Sequence, residues 1–263
     1  MKTIAVLIDF TEGAKVALKQ ALLLAEKTKA NIVAVHIASG IDKAASAESD
    51  LKLFLEENTT LSENIRIEIG IGNLFDAVQT VFNKIEPDLC IVCTHGVKGM
   101  FQHLFGAHIL KLAQSISFPT IVLQENNKVN LSEIKSILFP IGPHPEFEIK
   151  IRECSNLAKE LSAEIIIYEI DRPGIDVENQ LGKNKQNARD YFTKNEIVHH
   201  KVLDDLKVIS AGYSRQTLAY AEENNLQLIS IMASISKNDV LFGVGDKENF
   251  LINSLGIPIL CCN

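Results

Sequence analysis

The chain has 263 residues, 46% hydrophobic and 22% charged, the make-up of a globular protein long enough for one large domain or two ordinary ones. A formal net charge of −7 and a pI near 5.5 argue against nucleic acid or an anionic membrane as a primary partner. No stretch approaches the roughly 18 apolar residues of a membrane-spanning helix, and the five cysteines show no clustered metal-ligand spacing.

In chain order, Met1 to Asp9 enters a strand directly, with no signal-peptide organisation, so the expected address is the cytoplasm. Ala14, Ala17, Leu18, Ala21, Leu24, Ala25 and Thr28 then follow the i, i+3, i+4, i+7 rule of an amphipathic helix. Asn31 to Ile37 reads as a second strand. Asp42 to Thr60 is polar, expected to be helical in part and exposed. Asp88 to Val92 is a short apolar run, the pattern of a buried parallel strand.

That strand runs into Cys93-Thr94-His95-Gly96, a polar loop follows, and Gly106 opens an amphipathic segment from Ala107 to Ile116. Strand, glycine turn, loop and glycine at a helix start is an arrangement by which α/β proteins hold phosphates. Glycine lets the backbone approach, and the helix N-terminus presents free N–H donors and a positive dipole end. Cys90 and Cys93, three apart on a strand, point to opposite faces, as do the adjacent Cys261 and Cys262. Both pairs are expected to be buried hydrophobes, and no metal site is expected. For His199-His200, within an apparent strand, a shared metal is likewise unexpected.

The pattern then repeats. Ile4 to Asp9 is echoed by Ser136 to Gly142, and Asn31 to Ile37 by Glu164 to Ile170. At a constant offset of 139 positions, Asp88 to Val92 matches Gln227 to Ile231, Phe118 to Leu123 matches Ile257 to Cys262, and Gly106 falls on Gly245. Ile151, Cys154, Leu157, Ala158 and Leu161 form the second copy of the first helix. Pro173 to Lys194 is a second polar, exposed, partly helical segment. Tyr213-Ser214 is expected to open the helix Arg215 to Asn224 with a serine cap. Alternating strands and helices imply an α/β fold: two consecutive Rossmann-like domains, each a five-stranded parallel sheet flanked by helices. The expected domains are 1–125 and 134–263, joined by the polar linker 126–133.

These residues resemble the universal stress protein family in its tandem two-domain form. The resemblance rests on Asp9-Phe10-Thr11, Leu18 to Ala25, Ala30 to His36, Asp88 to Val92, Thr94-His95-Gly96 and Phe118 to Val122, in that order and spacing. It implies a fold like that of the adenine nucleotide alpha hydrolases. ATP-binding members share a Gly-x-x-Gly, nine residues, Gly-Ser/Thr pattern. Here the positions read Cys93 to Gly96, nine residues, then Gly106-Ala107, so a cysteine and an alanine depart from it. The resemblance also implies an aspartate near the ribose and backbone that reads the adenine; those places are Asp9 and Ile37.

Losing one hydroxyl-to-phosphate hydrogen bond costs roughly 1–3 kcal/mol, about one to two decades in affinity. Cys93 still offers its backbone N–H, and Gly96 and Gly106 are retained. The first half is therefore expected to hold ATP, weakly, with magnesium accompanying its phosphates. In the second half Asp9 becomes Gly142, Cys93 becomes Met232, Gly96 becomes Ile235 and Ala107 becomes Asp246. A carboxylate just inside the helix satisfies that N-terminus itself and repels phosphate, so no ATP is expected there.

Several residues carry two readings. Asp9 is a ribose or metal contact, or a cap for the helix near Glu12. His95 and His108 are anion donors, or plain turn and surface residues. Lys98 is a phosphate clamp or a solvated charge. No nucleophile–base–orienter set stands out and no catalytic residue is assigned, which leaves slow ATP hydrolysis open. Two functions compete. One is a nucleotide-responsive stress or signalling protein acting on an unnamed protein partner. The other is a nucleotide-independent scaffold of the same fold. The resemblance also implies pairing through the last strand of each domain. Joining Thr120–Gln124 to Ile259–Cys262 within one chain removes two exposed edges, an intrachain pseudo-dimer with Phe118 and Ile257 near its centre. Two such chains can associate further as a homodimer.

Overall fold

The structure, a computed structural model, describes residues 1–60, 64–94, 107–171, 178–205, 213–236 and 244–263. Its first half runs β1 (Thr3–Leu7), α1 (Glu12–Thr28), β2 (Asn31–Ala38), α2 (Ala44–Asn58), β3 (Arg66–Ile71), α3 (Leu74–Ile85), β4 (Leu89–Thr94), α4 (Ala107–Ser115) and β5 (Thr120–Gln124). The second runs β6 (Ser136–Pro140), α5 (Phe147–Leu161), β7 (Glu164–Asp171), α6 (Glu178–Lys194), β8 (His199–Asp205), α7 (Tyr213–Glu223), β9 (Leu228–Met232), α8 (Val244–Leu251) and β10 (Ile259–Cys262).

All ten strands form one sheet, in the order β3-β2-β1-β4-β5-β10-β9-β6-β7-β8. Every pairing is parallel except β5 with β10, where the halves meet antiparallel. The order is the same read from either edge, so the halves are related by a pseudo-two-fold at that joint. The inner strands are buried on both sides because helices cover both sides, while the edge strands β3 and β8 stay partly exposed. One core contains the inward faces of α1, α2, α5 and α6, the other those of α3, α4, α7 and α8. Cys90 and Cys261 lie in one core and Cys93 and Cys262 against the other, as strand alternation requires, and all five thiols are free.

Two expectations change. The polar segments are not merely exposed: Leu51, Phe54 and Leu55 of α2 and Ala188 and Phe192 of α6 are core residues, so each helix buries a narrow apolar stripe beneath its polar surface. Phe118 and Ile257 do not sit at the centre of the joint. The register pairs Ile121 with Leu260, and its antiparallel sense sends residues 118 and 257 to opposite ends of the ladder. The polar linker between the halves is itself packed. Leu131, in a 3-10 turn over Leu131–Glu133, is fully buried and donates its N–H to Gln20 Oε1 at 2.9 Å, while Lys27 of α1 donates to the carbonyls of Ser132 and Leu161.

Candidate functional site

The strand order reverses between β1 and β4: β2 and β3 lie on one side of β1, β4 and β5 on the other. In parallel α/β sheets the crevice at the carboxyl ends of the strands around such a point is where ligands bind. Asp9 lies just past β1 there, Ile37 near the end of β2, Cys93 near the end of β4, and Ala107 begins α4. His95, Gly96 and Gly106, with Lys98 and the rest of the loop, lie outside the described residues.

Asp9 is not the cap of α1. Thr11 is: its hydroxyl accepts from Ala14 N at 3.3 Å, and it in turn donates to Asp9 Oδ1 at 2.6 Å, with Thr11 N adding a second bond at 3.3 Å. Asp9 thus orients the capping residue and presents its carboxylate at the strand end. Cys93 is half-buried. Burial, then the Asp9 and Glu125 carboxylates, push its thiol far above the usual range, so it stays protonated and unreactive.

Ile37 lies inside β2, one residue before its end, in register with Gly70 of β3. Its backbone nevertheless opens toward the crevice. Val35 O accepts from Ile8 N at 2.8 Å on the β1 side, and Ala38 O accepts from Gly72 N on the β3 side. Alternation therefore turns the Ile37 N–H and C=O to the β1 side, beyond the point where β1 has ended. His108, in the first turn of α4, is exposed.

Two further residues here were not singled out from the sequence. Phe10 has φ 65°, the left-handed region that non-glycine residues rarely occupy, and is 37% exposed. Its ring lies 4.5 Å from that of His36, whose Nδ1 donates to the Ile8 carbonyl at 2.7 Å. The aromatic ring is thus held beside Asp9 at some backbone cost. Nothing in a local sequence pattern signals a positive φ at phenylalanine.

The corresponding place in the second half is built differently. Gly142 follows β6, Met232 ends β9, and Ile235 is exposed. α8 begins at Val244, so Gly245 is inside the helix and not before it. Asp246 does not satisfy its own helix. Its carboxylate accepts from Tyr213 N at 3.0 Å, Ser214 N at 3.3 Å and Ser214 Oγ at 2.6 Å, capping α7, whose first helical residue is Tyr213. What remains is a cavity of about 80 Å³ beside Gly142, Met232 and Asp246, into which Lys150 and His144 also face. Lys150 could have been noticed in the sequence: it stands three residues after Phe147 and four before Cys154, a charge on an apolar stripe.

The universal stress protein family model matches residues 1–124. No curated protein matches the sequence. Among solved structures, a universal stress protein from Archaeoglobus fulgidus DSM 4304 is similar over 99% of this chain and 96% of its own, with TM-score 0.65 and 14% identity. A functionally unknown protein from Pseudomonas aeruginosa PAO1 matches 100% of this chain and 92% of its own, with TM-score 0.60 and 15% identity. The cytoplasmic domain of a prokaryotic cation chloride cotransporter matches 99% of this chain and 94% of its own, with TM-score 0.50 and 9% identity. At these identities the likeness is one of fold.

Proposed function

We propose that the chain is a universal stress protein in tandem form, a reading supported by the family model over residues 1–124 and by the whole-chain likeness of fold, and that its first half holds an adenine nucleotide at the β1–β4 crevice while its second half does not. The observation that carries this reading is the contrast between two equivalent places in one sheet. In the first half Asp9, the Ile37 backbone and Cys93 stand at or near the carboxyl ends of β1, β2 and β4, with no side chain of the kind that fills the other half among them. In the second, a carboxylate bound to α7 and a buried lysine stand at the equivalent place.

In this reading the first N–H groups of α4, with Gly96 and Gly106 before them, receive the phosphates; the helix dipole adds to the attraction. His108 and His95 supply further donors. Asp9 takes the ribose, and the Ile37 backbone takes the adenine edge. Ala107 offers no hydroxyl, which sets the affinity one to two decades below that of a fully equipped site. Magnesium accompanies the phosphates; among the described residues no group of three metal-ligating side chains stands ready to hold it alone. The functional units are residues 1–125, which respond to nucleotide, and 134–263, which does not. The output is a changed surface offered to a protein partner in a cytoplasmic stress response, by one chain or by a homodimer.

Titration calorimetry of the full chain with ATP and magnesium tests this, beside a Gly106→Asp variant that puts a carboxylate at the start of α4. One site of micromolar to sub-millimolar strength, lost in the variant, is expected. Absence of binding at millimolar ATP would sink the reading and leave a nucleotide-independent scaffold.

A further inference from the structure

We propose that the second half binds a short-chain monocarboxylate in the cavity between β6, β9 and α8, with the carboxylate on the ammonium of Lys150 and the alkyl tail among the apolar walls. This site is independent of the nucleotide reading and lies in the half to which that reading assigns no ligand.

Lys150 is 2% exposed. Its Nζ donates to the Pro140 carbonyl at 2.6 Å and lies 4.4 Å from the Phe139 ring centroid and 5.1 Å from that of Phe147. A carbonyl and two aromatic faces are acceptors suited to an ammonium. None of them carries a negative charge, and no carboxylate among the described residues is within ion-pair distance of this amine. A buried charge without a counter-ion is costly, and a bound anion supplies one.

The other polar groups around the amine are engaged elsewhere. On α8, Asp246 is saturated by donors from α7, and Lys247 donates to the Ser234 carbonyl. His144 accepts from Glu146 N through Nδ1, and its Nε2 lies 3.2 Å from Ser234 Oγ. Tyr213 on α7 donates its hydroxyl to the Ile141 carbonyl. Cys154 on α5 and Cys262 on β10 are buried thiols whose ionisation is pushed up by burial.

Size and lining set the ligand class. A cavity of about 80 Å³ is roughly half the ~150 Å³ that accommodates benzene. It takes a molecule of a few heavy atoms and excludes a nucleotide. Phe147, Phe250, Ile231 and Met232 make its walls mainly apolar, which favours an alkyl carboxylate over inorganic phosphate. Burial lowers the Lys150 pKa to about 7, so the ammonium, and with it anion binding, is populated as the pH falls.

The test is calorimetric titration of the full chain with propionate at pH 6 and pH 8, with propionamide as the uncharged isostere. One saturable site is expected, about tenfold tighter at pH 6, because an amine of pKa about 7 changes its protonated fraction by about that factor. Propionamide should not bind measurably. Lys150→Met and Gly142→Leu should each abolish binding. The second variant keeps the lysine and fills the cavity from a position where an added Cβ meets open space, so it serves where loss of Lys150 disturbs folding. No saturable binding at either pH, equal binding of propionamide, or binding that survives Gly142→Leu would overturn the proposal.

Discussion

The Ser214 hydroxyl donates to the Asp246 carboxylate at 2.6 Å, tying the first turn of α7 to the first turn of α8. The same carboxylate accepts the N–H groups of Tyr213 and Ser214, which have no partner within their own helix. Asp246→Ala leaves those donors without their acceptor and is expected to cost about 1–2 kcal/mol, read as a lower urea midpoint. The adjoining cavity remains too small for a nucleotide, so the stoichiometry of ATP binding should not rise. A second ATP site in this variant would show that Asp246 had been blocking one.

Glu153 gives stability a pH dependence. Its side chain is buried on α5 against the end of β10, accepting from Asn263 N at 3.2 Å. Burial raises its carboxyl from 4.5 to about 7. A carboxyl so raised binds more protons folded than unfolded, so its contribution is fully present below about pH 4.5 and is lost as the pH rises through about 7. Glu153→Gln should remove that slope and be the more stable form at pH 8, by up to about 3 kcal/mol. Urea unfolding of both proteins at pH 5 and pH 8 decides it; an equal difference at the two values would place the effect elsewhere.

Gly256 is required by both conformation and space. Its φ is +70°, and a Cβ there would meet the Asn126 carbonyl oxygen at 2.8 Å, a backbone atom that cannot swing aside. Asn126 also donates its side-chain amide to Ser254 O, so the chain leaving β5 is clasped to the turn before β10. Gly256→Ala is expected to cost about 1–3 kcal/mol, visible as a lowered Tm. Gly142, with open space at its Cβ, should accept alanine with little loss.

Much of the fold was legible because its signals are local. Apolar runs such as Leu89–Val92 and Leu228–Met232 are buried on both faces and become parallel strands, and the Ala-rich stripe of α1 packs as its period requires. The 139-residue offset marked the repeat. The family resemblance implied the β5–β10 joint, although its register, with Ile121 opposite Leu260, was not readable. The apolar stripes of α2 and α6 were hidden because few residues carry them among many charges.

The site was legible in part. Asp9, Ile37 and Cys93 stand at or near the carboxyl ends of β1, β2 and β4. What each does there depends on partners distant in sequence: Thr11 and not Asp9 caps α1, Ile37 is still within β2, and Phe10 turns to a positive φ to lie over His36.

By itself the sequence determined the strands, most of the helices, the duplication and the places where the second copy departs from the first, because periodicity and residue type are properties of short stretches. Only the tertiary structure decided that Asp246 serves α7 and not its own helix, that Lys150 is enclosed by Phe139, Phe147 and Pro140, and that Glu153 is buried against the end of β10. Those outcomes rest on which donors, rings and carbonyls the ten-stranded sheet brings within a few ångströms. The cost of burying a charge is set by that company and not by its neighbours along the chain.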